Sequence, residues 1–249
     1  KKINSKTFLV SIMHVNNEIG TIHPIKKIGE ICKKKGIFFH TDASQSLGKV
    51  KLDVNYSNLD FASFSSHKIH GPQGVGCLFI KKRKDVLLIP LFSGGGQENG
   101  LRSGTLPTAL CVGFGHAVEL IENERIKSAK KVKNLKNIFL KILKQKKINY
   151  FLNGRNTVDH NINITFPDIK TEFLFSKLDD ISISSGSACG SGSGEPSYVL
   201  KEIGLDKNKA SSTLRIGIGK KNTVKEIKYC ALKISKILNN YYDKNKISR

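Results

Sequence analysis

The stretch LDFASFSSHKIHGPQGVGCLFI, Leu59 to Ile80, sets two short apolar runs on either side of a polar turn. LDFASFS (Leu59 to Ser65) and GCLFI (Gly76 to Ile80) each have strand length, and Gly71-Pro72 punctuates the segment between them. Working upstream, IFFHTD (Ile37 to Asp42) is a further strand, and TFLVSIMHV (Thr7 to Val15) is a nearly continuous apolar run of the kind a buried parallel strand carries. Between those two, Pro24 to Lys35 reads as a helix with Ile25, Ile28, Ile31 and Cys32 on one face, Pro24 in the permitted first turn and Gly36 as the stop. Alternating strands and helices predict an α/β fold with a mostly parallel sheet. Downstream, the loop SGGGQENGLRSGT (Ser93 to Thr105) leads into a long helical pattern from about Pro107 to Lys147, after which short strands and helices alternate. A domain boundary is expected inside that helix, near residue 125, giving a large sheet domain over 1–125 and a smaller α/β domain over 126–249.

Composition narrows the function classes. The chain has 249 residues and 39% hydrophobic content, enough for a substantial core. Its longest apolar runs, such as VLLIPLF (Val86 to Phe92), are too short to span a bilayer, and KKINSKT at the start carries no signal-type apolar segment, so no membrane anchor is expected. Five cysteines without a CxxC pair argue against a disulfide framework and a zinc ribbon, and point to a reducing compartment. Cys32, Cys77, Cys111 and Cys230 fall in apolar-periodic segments and are expected in the core. The formal net charge of +22 invites a nucleic-acid reading, yet only six of the 42 basic residues are arginine and tryptophan is absent. Base and phosphate readers favour the arginine fork and interleaved aromatics, so this charge reads as a coat of solvated lysines, without direct specific nucleic-acid binding.

Open α/β sheets bind ligands at the carboxyl ends of their strands. Asn16, Asn17 and Glu18 follow the first strand, Asp42 and Gln45 the second, and Ser65, His67 and Lys68 the third, which predicts their convergence on one site. A lysine at a strand end, partly desolvated so that its pKa falls, suits a Schiff base with an aldehyde cofactor. Lys68 with Asp42 upstream supplies what pyridoxal phosphate requires, an amine for the aldehyde and a carboxylate for the pyridinium nitrogen. His67 and His70 form an HxxH without a third metal ligand at suitable spacing, so no metal is expected. GGGQENG lacks the GK[ST] ending of a nucleotide-phosphate loop. Cys189 stands apart: SSGSACGSGSGEPSY (Ser184 to Tyr198) surrounds it with small residues that offer almost nothing to pack against.

With these segments in view, the chain closely resembles the cysteine desulfurases of the NifS/IscS type, in class V of the pyridoxal-phosphate aminotransferase superfamily. MHVNNEIG (Met13 to Gly20), HTDASQSLGK (His40 to Lys49), SFSSHKIHGPQGVG (Ser63 to Gly76), GGGQENGLRSGT (Gly94 to Thr105), SSGSACGS (Ser184 to Ser191), EPSYVLKEIGL (Glu195 to Leu205) and SSTLRIGIG (Ser211 to Gly219) occur in family order. The resemblance implies the fold type I, aspartate aminotransferase-like architecture, with 1–125 as part of the cofactor-binding domain. It implies Lys68 as the Schiff-base lysine and Asp42 as partner of the pyridine nitrogen. Asn17 and Gln45 are implied at the phenolic oxygen, Ser65 and His67 at the phosphate, and Thr105 at the phosphate of a partner subunit, hence a homodimer. Arg215 is implied as the clamp on the substrate carboxylate, with Asn17 beside it, and Cys189 as the nucleophile that takes sulfur from L-cysteine as a persulfide while L-alanine leaves. A sulfur-acceptor protein follows, either an iron–sulfur scaffold or a tRNA-thiolation relay, in the cytoplasm or, for a eukaryotic source, the mitochondrion.

The sequence also departs from the family pattern. The upstream phosphate loop and the ring-stacking histidine of full-length relatives are not found, so the chain reads as the later part of the fold, with an exposed apolar sheet edge expected. The chain stops soon after TVKEIKYCALKISKILNN (Thr223 to Asn240), which makes delivery to an iron–sulfur scaffold less secure than the desulfuration. Selenocysteine lyase or another class V reaction is the neighbouring alternative, and a non-catalytic dimerising or partner-binding remnant is the alternative of another class.

Overall fold

A computed structural model describes residues 2–82, 88–185 and 197–245. Its contacts divide the chain into two compact units: Lys1–Val15 with His23–Arg125 (unit 1), and Asn16–Ile22 with Ile126–Arg249 (unit 2).

Unit 1 is built on the strands β1 (Leu9–Ser11), β2 (Phe38–Asp42), β3 (Phe61–Ser65) and β4 (Gly76–Ile80), hydrogen-bonded in that order. β1, β2 and β3 run parallel, whereas β4 returns antiparallel to β3, pairing Ser65 with Gly76 and Phe61 with Ile80. The return is tight because the Ser66 amide donates to the Val75 carbonyl and the Gly71 amide to the Ser66 carbonyl. The helix α1 (Ile25–Lys34) buries Ile25, Gly29 and Cys32. Gly29 is the contact point: a Cβ there would lie 1.9 Å from the Ser57 carbonyl oxygen. Ile25 and Cys32 join Phe39, Leu59 and Ala62 in one cluster, while Ile69 packs with Phe114, Ala117 and Ile121 from the first part of α2 (Thr108–Gln145) in a second.

Three expectations need correction here. Thr7 to Val15 is not a uniformly buried strand: Leu9–Ser11 form the regular ladder at the edge of the described sheet, backbone bonds from Ile12 and His14 to His40 and Asp42 continue it, and Phe8 and Leu9 stay exposed while His14 and Val15 are buried. Ile31 is half exposed, because Gly29 and Cys32 turn the helix toward the Ser57 segment and the sheet. Cys32 and Cys230 are buried, but Cys77 and Cys111 are exposed, Cys77 on the edge strand β4 and Cys111 in the first turn of α2.

Unit 2 holds a three-stranded antiparallel sheet in the order β5 (Phe151–Leu152), β6 (Asn161–Thr165), β7 (Thr213–Gly217). The helices α3 (Thr171–Phe175), α4 (Tyr198–Glu202), α5 (Lys207–Ser211) and α6 (Val224–Asn245) complete it with the second part of α2. α4 and α5 are N-capped by Ser197 and Asp206, whose side chains accept backbone N–H groups that a helix start leaves unpaired. The main cluster runs from Val132, Leu135, Phe139 and Leu143 of α2 through Ile162 and Ile164 of β6 to Ile227, Ala231, Ile234 and Leu238 of α6. Among the described residues no helix is long and apolar enough to cross a membrane, and no group of three His, Cys, Asp or Glu is arranged to hold a metal ion.

Candidate active site

Parallel pairing of β2 and β3 puts their carboxyl ends on the same edge of the unit 1 sheet. Asp42 closes β2 in register with Ser63, and Ser65 closes β3 two residues later. Asp42 is exposed, and its Oδ1 accepts the Ser44 amide at 2.8 Å, a local turn that reverses the chain just beyond the strand. Gln45 follows, half-buried, with its Oε1 accepting the Lys49 ammonium at 3.0 Å. Beyond Ser65 a short 3₁₀ turn, Ser66–Ile69, buries Ser66 and Ile69 and leaves His67 and Lys68 facing solvent. Ser65 Oγ and His67 Nδ1 are 3.1 Å apart, in hydrogen-bond contact. His40 joins three strands: its Nδ1 meets Ser11 Oγ at 2.8 Å and its Nε2 meets Ser63 Oγ at 3.2 Å, and burial is the main reason its pKa is lowered. That histidine is a structural link within the sheet.

Lys68 itself is exposed, contrary to the expected partial desolvation. The desolvated amine is the half-buried Lys49, whose pKa falls to about 8, first through desolvation and second because of the charge on Lys68. Sequence reading missed Lys49, although it lies within HTDASQSLGK; the available signal was its four-residue spacing from Gln45 in a turn-prone segment. Thr105 is exposed, and its side chain makes no hydrogen bond among the described residues.

The other expected residues lie in unit 2. The Asn16–Ile22 segment is tied to β6 and β7: Asn161 Nδ2 donates to the Glu18 carbonyl at 2.9 Å, Asn163 Nδ2 to the same carbonyl at 3.2 Å, and Arg215 Nη1 to the Asn17 carbonyl at 3.1 Å. Arg215 Nε donates to Ser184 Oγ at 3.1 Å, and the backbones of Ser184 and Arg215 exchange two hydrogen bonds at 3.2 and 2.7 Å. Among the described residues the half-buried Arg215 has no further partner for Nη2, a donor group suited to a carboxylate. Glu18 is almost fully buried, with Oε1 lacking a partner among the described residues. Sequence reading missed Ser184 as the anchor beside Arg215. Cys189 lies outside the described residues.

Residues 1–230 match the family model for aminotransferase class-V, and the chain belongs to that family. Two similar relatives are both called cysteine desulfurase IscS. That of Rickettsia bellii is 46% identical over 243 residues, covering 97% of this chain and 59% of the relative. That of Rickettsia rickettsii is 46% identical over 229 residues, covering 91% of this chain and 56% of the relative. The chain therefore spans less than two thirds of the length of these relatives. Among solved structures, a NifS-like protein superposes with a TM-score of 0.85 at 35% identity, covering 96% of this chain and 63% of the other. A protein described as SspA in complex with cysteine gives 0.76 at 39% identity, covering 89% and 62%. These likenesses establish the fold as that of the pyridoxal-phosphate enzymes expected from the sequence.

Family membership implies pyridoxal phosphate, and the donor set in unit 1 fits it. A carboxylate, a primary amine, an amide and a hydroxyl–imidazole pair follow the carboxyl ends of two adjacent parallel strands, matching the ring nitrogen, aldehyde, phenolic oxygen and phosphate.

Proposed function

We propose that the whole protein is a pyridoxal-phosphate-dependent cysteine desulfurase that converts L-cysteine to L-alanine and leaves the sulfur on Cys189 as a persulfide. The observation that carries this reading is the placement of Asp42 at the end of β2 and of Lys68 three residues past the end of the adjacent parallel strand β3. The cysteine held by the SspA relative supports the substrate class.

When bound, pyridoxal phosphate supplies an electron sink for the substrate carbon. Asp42 holds a proton on the pyridine nitrogen, its carboxylate being exposed at the strand end. Lys68 presents an amine to the aldehyde and then carries protons to and from the substrate carbons. Gln45 and Asn17 donate to the phenolic oxygen. Ser65 and His67, already in contact, hold the phosphate together with Thr105 from a partner subunit. Arg215 clamps the substrate carboxylate with its remaining guanidinium hydrogens, while Nε and one Nη1 hydrogen hold Ser184 and the Asn17 carbonyl. The Cys189 thiolate attacks the substrate sulfur, forming an S–S bond as the Cβ–S bond breaks. The electron pair of that bond stays on carbon and takes a proton, so alanine leaves without an external oxidant or reductant.

In this reading the protein is a cytoplasmic homodimer. Cys189 hands its sulfur to an acceptor protein, an iron–sulfur scaffold or a tRNA-thiolation relay. The test is to express the full-length protein, record its visible absorbance and measure alanine and sulfide formed from cysteine. Wild type is yellow and active; Lys68→Ala loses the bound-cofactor absorbance and activity falls on the order of 10⁴-fold. Cys189→Ser keeps the colour and loses the persulfide. Full sulfide release by Cys189→Ser with a reductant present overturns the persulfide step, and a wild type that binds no cofactor overturns the whole reading.

A further inference from the structure

The turn after β2 holds a half-buried ammonium that none of these roles uses. The amides of Ser46 and Leu47 both donate to the Ala43 carbonyl, and those of Lys49 and Val50 both donate to the Ser46 carbonyl. Winding of this kind brings residues four apart to one side. On that side Lys49 Nζ donates to Gln45 Oε1 at 3.0 Å. Gly48 seats the turn: its φ is +70°, and a Cβ there would lie 2.3 Å from Ile121 Cγ1, so the turn rests directly on α2 within unit 1. Burial and the neighbouring Lys68 together bring the Lys49 pKa down to about 8, evidence that the ammonium is held there at a cost. A methionine would fill similar volume without burying a charge, so packing alone gives no reason for lysine at this position.

A primary amide has an acceptor end and a donor end. With Gln45 Oε1 engaged by Lys49, the NH₂ group is the end that remains to be used. Flipping the amide would set NH₂ against the ammonium and Oε1 against an ionised phenolic oxygen, two like-with-like contacts. We propose that Lys49 is a positioning residue that locks the Gln45 amide in the orientation that donates to the cofactor's phenolic oxygen. This inference rests on the pyridoxal-phosphate reading above.

The test uses the full-length protein and two readouts besides turnover: the dissociation constant for pyridoxal phosphate, from equilibrium dialysis, and the absorbance of the bound cofactor as a function of pH. Lys49→Met weakens cofactor binding roughly 2- to 10-fold, the worth of one hydrogen bond, and displaces the pH at which the absorbance changes. Lys49→Arg, which keeps a donor, restores both. In a Gln45→Leu background Lys49→Met has no further effect, because the residue it acts through is gone. Lys49→Leu serves in the same comparison if the methionine variant does not fold. Unchanged affinity and absorbance in Lys49→Met, or an undiminished effect in the Gln45→Leu background, overturns the inference and leaves the cofactor reading standing. A wild type that takes up no pyridoxal phosphate overturns both.

Discussion

In unit 2, 20 buried residues from Val132 to Tyr242 form one apolar cluster that includes the inner positions of β6, β7 and α6. The clusters of unit 1 are smaller, one of five buried residues around Phe39 and one of four around Phe114, and Phe8, Ile89 and Leu91 stay at 75%, 82% and 93% exposure. The difference follows from what each sheet carries. A parallel sheet whose strand ends hold a carboxylate, a lysine and a histidine has fewer positions free for packing. The antiparallel sheet of unit 2 buries four of the five residues of β6, and its Asn161, Asn163 and Arg215 side chains hold the Asn16–Ile22 segment. The unit with the smaller clusters therefore holds most of the candidate chemistry.

The strongest challenge to this comparison is a core truncation in unit 2. Phe139 is fully buried in the large cluster, and Phe139→Ala is expected to cost about 3–5 kcal/mol, read from chemical denaturation. A cost below about 1 kcal/mol would mean that the cluster relaxes and does not act as one core. A smaller effect is expected from Asn163→Leu. That side chain is 2% exposed, donates to the Glu18 carbonyl and accepts from Asn153 Nδ2 at 2.8 Å, so its loss should cost about 1–3 kcal/mol. It should also loosen the Asn16–Ile22 segment, seen as faster amide exchange at Ile19 and Gly20.

Acid should act on unit 1 through His14. Burial, helped by the charge of His23, holds its pKa at about 4 in place of the ordinary 6.5. Between these values the unfolded chain binds a proton that the folded chain refuses, so the stabilising contribution is complete above 6.5 and is lost as pH falls toward 4. Unfolding midpoints in denaturant measured from pH 7 to 4 should fall less steeply in His14→Leu; identical slopes would remove His14 from the account. The smallest effect belongs to the edge: Phe8→Ser in the 249-residue chain should change stability by no more than about 0.5 kcal/mol. A larger loss would show that Phe8 is covered in solution.

Much of this was legible before any coordinates. The strand and helix segments of the first half, the long helix from Thr108, and the acid–amine pair Asp42 and Lys68 all declare themselves through local pattern, because apolar periodicity and turn residues act over a few neighbours. Which faces become buried was not legible. Cys77 shares the apolar pattern of a core strand yet is exposed, on the outermost strand of the described sheet, and pairing order is a long-range property.

The sequence by itself determined the family, through seven motifs in order, and with it the residue types that a pyridoxal-phosphate site demands. Tertiary structure alone decided which lysine is desolvated and where the first strand's polar loop belongs. Gly48 and Ile121 are far apart in sequence yet in contact, and the turn they join holds Lys49 half-buried while Lys68 stays exposed. Likewise the Asn16–Ile22 segment follows a unit 1 strand in the chain but is fastened by Asn161, Asn163 and Arg215 of unit 2. Burial and hydrogen-bond partnership depend on distances through space, and a local pattern carries no record of them.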